Sequence, residues 1–260
     1  MSSYVDPARA HVLITGGSNG IGWGLAARFL AAGSKVLVTG RSPEKLEEAA
    51  GAMPGLLTLV NDIGRPEHRE VLAGHVRSNM PGLNVLINNA GIQRRVPLAA
   101  DDAPWAERQA EIDTLLSGPV HLNHLLIPLM LSHGQPGVLV NVSSGGGFIP
   151  QVFAPVYSAC KAAIHSYSIT LRHALRNTPL RVVELIPPAV QTGLAGPGAS
   201  AHGAPLDAFC DEVFPALLRA DSDEVGFGPT NSADFRKIIE SAENLFKASA
   251  ARFPVKTYGS

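Results

Sequence analysis

Tyr157 and Lys161 stand four residues apart in the segment Tyr157-Ser158-Ala159-Cys160-Lys161. On an α-helix that spacing places two side chains one above the other on a single face. A phenol ordinarily gives up its proton near pH ~10, and a cation held beside it favours the phenolate and lowers that value. The pair is therefore a candidate acid/base device for chemistry near neutral pH. Taken alone, the same spacing also describes a core Tyr beside a solvated Lys. Three further stretches bear on the choice: a glycine-rich turn at residues 15–22, the run Asn88-Asn89-Ala90-Gly91, and Ser143-Ser144.

The glycine turn sits where it can bind an anion. The apolar run 11–15 reads as a buried strand that stops at Gly16, and residues 23–32 continue with Leu25, Ala26, Phe29 and Leu30 at helical spacing. Strand, glycine turn and helix form the setting in which backbone N–H groups and the positive end of a helix dipole face a pyrophosphate. The glycines fall at 16, 20 and 22, a spacing distinct from the usual Gly-x-Gly-x-x-Gly.

A second strand, 35–39, closes the first β-α-β unit at Gly40-Arg41. At this strand end a carboxylate would bond a ribose 2′-hydroxyl, whereas an Arg accommodates a 2′-phosphate. The chain offers Thr39, Gly40 and Arg41 with no acid, which favours NADP over NAD.

The remaining pattern alternates in the same way. Helices are predicted at 43–50, 65–79, 155–177, 206–220 and 232–251, and strands at 56–60, 83–87, 138–142, 180–186 and 224–227. The zone 101–132 is helical but contains Gly118-Pro119 and Pro128, so it predicts one kinked helix or two. The alternation implies a single α/β domain over 1–260, a Rossmann-type doubly wound parallel sheet of about seven strands with helices on both faces. Within it, 193–222 reads as a loop and helix covering the substrate, with 193–205 rich in Gly, Ala and Pro.

Composition narrows the class. The chain has 260 residues, 45% of them hydrophobic, enough for a sizeable core, with 21 basic against 22 acidic side chains. That balance argues against nucleic acid or an anionic membrane as partner. Two cysteines, Cys160 and Cys210, are too few for a disulfide framework. No signal-peptide core or membrane-spanning apolar run is evident, so a cytoplasmic location is expected. His121, His124 and His133 share one helical zone without a carboxylate in a ligand pattern, and are read as structural; no metal is expected.

Taken together, Thr15-Gly16 with Gly20 and Gly22, Asn88 to Gly91, Ser144, Tyr157 and Lys161 resemble the short-chain dehydrogenases/reductases, in order and spacing over roughly residues 10–192. Ser144 precedes Tyr157 by thirteen residues, the usual interval in that family. The resemblance implies a nicotinamide dinucleotide cofactor and interconversion of a carbonyl and a secondary alcohol. It makes Tyr157 the acid/base, Lys161 the residue that bonds the nicotinamide ribose and lowers the Tyr157 pKa, and Ser144 the hydrogen-bond partner of the substrate oxygen. Gly16, Ser18, Asn19, Gly20 and Ile21 would face the phosphates and ribose, with Arg41 at the 2′-position. Asp62 and Ile63 would lie near the adenine, Asn88 near the adjoining ribose with Ala90 and Gly91, and Pro187, Val190 and Thr192 near the nicotinamide. A small carbonyl or alcohol substrate and a homodimer or homotetramer are the implied partners.

Two departures stand out. Leu115 occupies the position, three before Gly118, where many members have an Asn that helps hold a proton-relaying water, and Pro188 replaces a more usual Gly. Asp113, roughly 200° around an α-helix from Leu115, is no simple substitute. Leu115 supports an alternative reading, a dinucleotide-binding sensor with weak turnover. Position alone nominates Gln93, Arg94, Arg95, Phe148, Gln151 and Phe153 as substrate-facing, with Arg94 and Arg95 as candidates for an acidic group.

Overall fold

The computed structural model describes residues 3–194, 196, 201–221 and 223–252. Seven parallel strands form one sheet: β1 (His11–Thr15), β2 (Lys35–Gly40), β3 (Leu57–Val60), β4 (Val85–Asn88), β5 (Gly137–Val142), β6 (Leu180–Ile186) and β7 (Glu224–Gly226). Their order is β3-β2-β1-β4-β5-β6-β7, so the chain winds outward from β1 in one direction and then from β4 in the other. The reversal between β1 and β4 is the crevice where open α/β sheets bind ligands, beyond the C-terminal ends of the strands.

Among the described residues eight α-helices flank the sheet: α1 (Gly20–Ala31), α2 (Pro43–Ala52), α3 (Pro66–Asn79), α4 (Trp105–Ile112), α5 (Gly118–Ser132), α6 (Pro155–Leu175), α7 (Leu206–Leu217) and α8 (Ala233–Arg252). Alternate strand residues face opposite layers. Val12, Ile14, Val36 and Val38 meet α1 and α7 through Leu25, Phe29 and Phe209. Leu13, Leu37, Leu86 and Leu139 meet the α3, α5 and α6 side through Leu72, Val76, Leu122 and Leu171.

The predicted elements are present, with boundaries shifted by a few residues. The informative shift is at 101–132, where the helix begins at Trp105 and passes through a π-helical turn, Asp113–Ser117, into α5. Pro119 has no N–H to give the carbonyl of Leu115, so an α-type bond is unavailable there and the chain takes a wider turn. By length and composition the segment Trp105–Ser132 is apolar enough to cross a membrane. Here Leu122, Leu126, Ile127 and Met130 spend that apolar character on the core.

Of the predicted covering loop, residues 195, 197–200 and 222 lie outside the described residues. The chain is back in place by Ala204, which forms a parallel bridge with Val190 through Gln191 N to Ala204 O at 2.9 Å and Ala204 N to Ala189 O at 2.8 Å.

Candidate active site

A cleft of about 970 Å³ runs along the C-terminal edge of the sheet. The turn between β1 and α1 forms part of its lining. Gly16 has φ +66°, and a β-carbon there would stand 2.7 Å from the Ala90 Cα. At Gly22 a β-carbon would stand 2.5 Å from the Gly16 carbonyl oxygen. Only glycine lets these backbones approach so closely. Asn89 fastens the arrangement, donating from Nδ2 to the carbonyls of Thr15 and Gly16, both at 2.9 Å. The α1 N-terminus has no side-chain cap and no acidic residue in its first turn, so its amides and dipole are left to an outside anion.

Gly16, Ser18, Asn19, Gly20, Ile21, Arg41, Asp62, Ile63, Ala90, Gly91, Pro187, Val190 and Thr192 all line this cleft, as do Ser144, Tyr157 and Lys161. Asn88 does not. Its side chain turns inward, donating from Nδ2 to Asn123 Oδ1 at 2.7 Å and Asn141 Oδ1 at 3.0 Å, while Asn141 donates to Ser168 at 3.0 Å. The Asn88 side chain belongs to a buried amide network joining β4, α5, β5 and α6. Sequence reasoning also missed Lys45, which lines the cleft with Arg41 and Ser42. The signal was available: Lys45 follows Arg41 by four residues at the start of a helix.

Ser144 stands two residues past β5 and caps a 3₁₀ turn, Gly145–Gly147, its Oγ accepting from the Gly146 N–H at 3.1 Å. The α6 helix brings Tyr157 and Lys161 to the same wall. Lys161 Nζ donates to the Val142 carbonyl at 2.7 Å and lies 5.6 Å from the centre of the Tyr157 ring. Burial lowers the Lys161 ammonium from its ordinary 10.5 to about 8. The Tyr157 phenol moves opposite to the expectation. Burial raises it, the Ser144 hydrogen bond pulls it down, and the Glu111 carboxylate adds to the rise. Burial outweighs the Ser144 hydrogen bond because the phenolate would lose its water.

Glu111, which the sequence did not single out, is almost fully buried and accepts from the Arg94 amide at 3.1 Å. Burial raises its carboxyl above the usual range. Leu115 is buried in a cluster with Ala154, Tyr157 and Cys160. Asp113 does not stand in for it: its carboxylate accepts from Gln109 and Ser117 along its own helix. Thr114, also missed, lines the cleft and a second cavity of about 10 Å³ shared with Thr15, Asn88, Leu115 and Lys161.

Among the nominated substrate-facing residues, Gln93, Arg95, Gln151 and Phe153 line the cleft. Arg94 does not; it pairs with Asp101 at 3.0 Å and Glu107 at 3.2 Å. Phe148 packs instead on Phe235 and His165. Of the three histidines, His121 approaches Glu70 at 3.5 Å, and no metal-binding group occurs among the described residues.

The profile of the family described as short chain dehydrogenase matches residues 10–201. The uncharacterized oxidoreductase DltE of Bacillus subtilis is 43% identical over 183 residues, 70% of this chain and 72% of that protein. A sulfoacetaldehyde reductase of Chromohalobacter salexigens is 32% identical over 185 residues, again 70% and 72% of the two chains. A crystal structure of 3-ketoacyl-(acyl-carrier-protein) reductase from Brucella melitensis, complexed with NADH, superposes with a TM-score of 0.74 at 25% identity, covering 84% of this chain and 96% of that one.

Proposed function

The chain belongs to the short-chain dehydrogenase/reductase family, NAD(P)-dependent oxidoreductases of carbonyls and alcohols, and within it we propose an NADP-preferring reductase in which Tyr157 is the acid/base. The observation that carries this reading is a single cleft with an uncapped helix N-terminus and Arg41/Lys45 at one end and Ser144, Tyr157 and Lys161 along its wall. The residues fit a nicotinamide dinucleotide: the glycine cradle excludes side chains where a diphosphate must approach backbone, and the end of β2, Thr39-Gly40-Arg41, carries no carboxylate of its own.

Gly16, Asn19, Gly20 and Ile21 would hold the diphosphate, and Ser18, Arg41 and Lys45 would take the 2′-phosphate, with Asp62 and Ile63 toward the adenine and Pro187, Val190 and Thr192 toward the nicotinamide. When bound, the reduced dinucleotide supplies the hydride. Ser144 donates to the substrate carbonyl oxygen and Tyr157 delivers a proton to it, so that the carbonyl carbon gains hydride and the oxygen gains the proton. Lys161 holds its charge at the ribose and beside the phenol. A protonated Tyr157 phenol is the donor that reduction needs, in keeping with the name of the sulfoacetaldehyde reductase relative. Free, buried Cys160 and Cys210 suit a reducing compartment such as the cytoplasm.

The test is NADPH and NADH oxidation by the purified protein over a panel of ketones and aldehydes. Neutralising Arg41 and Lys45 together should lower kcat/KM for NADPH on the order of 10–100-fold and that for NADH far less. Equal loss for both cofactors would remove the NADP assignment.

A further inference from the structure

The cleft carries cations at both ends, and the cofactor accounts for one of them. At the other end Arg94 and Arg95 are neighbours with opposite fates. Arg94 is consumed by Asp101 and Glu107. Arg95 reaches the cleft, where its guanidinium carbon lies 5.0 Å above the Phe153 ring centre and its Nε donates to Gln93 Oε1 at 3.1 Å. Among the described residues no carboxylate pairs with it. Gln93 donates in turn to Gln151 Oε1 at 3.2 Å. The Gln151 amide lies over Gly146, 3.1 Å from where a β-carbon would stand, and Gly146 is the residue whose N–H holds Ser144. A continuous string of contacts therefore links the Arg95 guanidinium to the hydroxyl that meets the substrate oxygen.

The remaining charges leave that cation uncompensated. Asp62 lies in the turn after β3, accepting from the Gly64 amide at 3.0 Å, and Asp234 pairs with Lys237 at 2.9 Å. Gln93 and Gln151 orient the guanidinium without neutralising it. Ile149, Val152 and Phe153 make the adjoining lip apolar. A guanidinium stacked on an aromatic face keeps its terminal N–H groups available for an oxyanion.

We propose, resting on the reductase reading above, that the substrate is an anionic carbonyl compound with an apolar skeleton. Its carboxylate, sulfonate or phosphate binds Arg95 while its carbonyl oxygen meets Ser144 and Tyr157. Arg95 is thus the specificity-determining residue, and Phe153, Gln93 and Gln151 hold it in position.

The experiment measures NADPH-dependent reduction of oxo acids against their methyl esters, with matching sulfonates and phosphonates to separate the acid groups, in the native protein, Arg95→Gln and Arg95→Lys. The native protein should prefer the acids. Arg95→Gln should lower the acid-to-ester ratio of kcat/KM on the order of 10–100-fold, mostly through KM, with Arg95→Lys between. Calorimetric binding of the saturated acid lacking the carbonyl to the NADP-loaded protein should weaken by a similar factor in Arg95→Gln. A native preference for esters, or a ratio indifferent to Arg95→Gln, overturns the anion assignment and leaves the reductase standing. If neither acids nor esters are reduced in a Tyr157-dependent way, the reductase reading falls and this proposal with it.

Discussion

Lys161 donates from Nζ to the main-chain carbonyl of Val142 at 2.7 Å, tying the cation of α6 to the last residue of β5. One hydrogen bond holds the ammonium where a ribose would lie, yet it does not replace the water lost on burial. Its pKa therefore falls from 10.5 to about 8. Below pH 8 both folded and unfolded chains carry the proton, and the fold bears the full burden of an enclosed cation. Between 8 and 10.5 the unfolded chain binds more protons, so the Lys161 contribution to stability rises with pH. Urea unfolding at pH 7.5, 8.5 and 9.5 should show the native protein gaining stability relative to Lys161→Met. Parallel curves would show that the ammonium is not depressed.

The Tyr157 phenol stays protonated through neutral pH because burial raises it. A protonated phenol is the donor that carbonyl reduction needs, and the phenolate is the acceptor that alcohol oxidation needs. Reduction should run well between pH 6 and 7.5, and oxidation should climb only on the alkaline side. Tyr157→Phe should lower kcat for reduction by about 10²–10⁴-fold, with NADPH still binding by fluorescence titration. A variant that retains native turnover would remove Tyr157 from the chemistry.

The fold was legible because apolar runs and glycine punctuation repeat with regular spacing, and sheet order follows from parallel crossovers. The site was legible where placement depends on backbone position: Gly16 and Ser144 stand just past the ends of β1 and β5, and Lys161 sits one helical turn from Tyr157 on α6. It was obscured where a side chain has two ways to turn. Asn88 could face a ligand or the interior, and the nearby amides of Asn123 and Asn141 decide in favour of the interior. Arg94 and Arg95 are indistinguishable in a string of letters. Asp101 and Glu107, seven and thirteen residues from Arg94, capture it and leave Arg95 to the cleft. The balance on Tyr157 is likewise three-dimensional: burial and the Glu111 carboxylate push the phenol up while the Ser144 hydrogen bond pulls it down, each from a different element.

Leu115 packs with Tyr157 and Cys160 where many relatives would be expected to carry Asn. The small cavity beside it has about the volume of a single water and offers Thr15, Asn88, Thr114 and Lys161 as polar neighbours. A water held there would meet Lys161 without help from residue 115. Leu115→Asn should then destabilise the fold by roughly 2–4 kcal/mol, since an amide replaces a well-packed side chain. It should raise kcat by less than about tenfold, below the roughly 10²–10⁴-fold that a restored proton-transfer group would bring. Thermal unfolding alongside steady-state reduction checks both parts. A large gain in kcat would show that Leu115 throttles the native protein.

Gly16 and Gly74 make opposite predictions for the same substitution. Gly16→Ala forces a side chain into a left-handed backbone, which costs about 1–2 kcal/mol, and sets its β-carbon 2.7 Å from the Ala90 Cα. Because Ala90 is backbone at the floor of the cleft, the clash must move the glycine turn or the strand end. Stability and NADPH binding should fall together. Gly74 lies inside α3 with nothing within 4 Å of its would-be β-carbon. Gly74→Ala should stabilise the protein by roughly 0.5–1 kcal/mol through reduced unfolded-chain entropy, with NADPH affinity unaltered. Melting temperatures and NADPH fluorescence titrations of the two variants, run side by side, separate the cradle from the scaffold. Loss of binding in both, or in neither, would mean that the glycine turn does not hold the diphosphate.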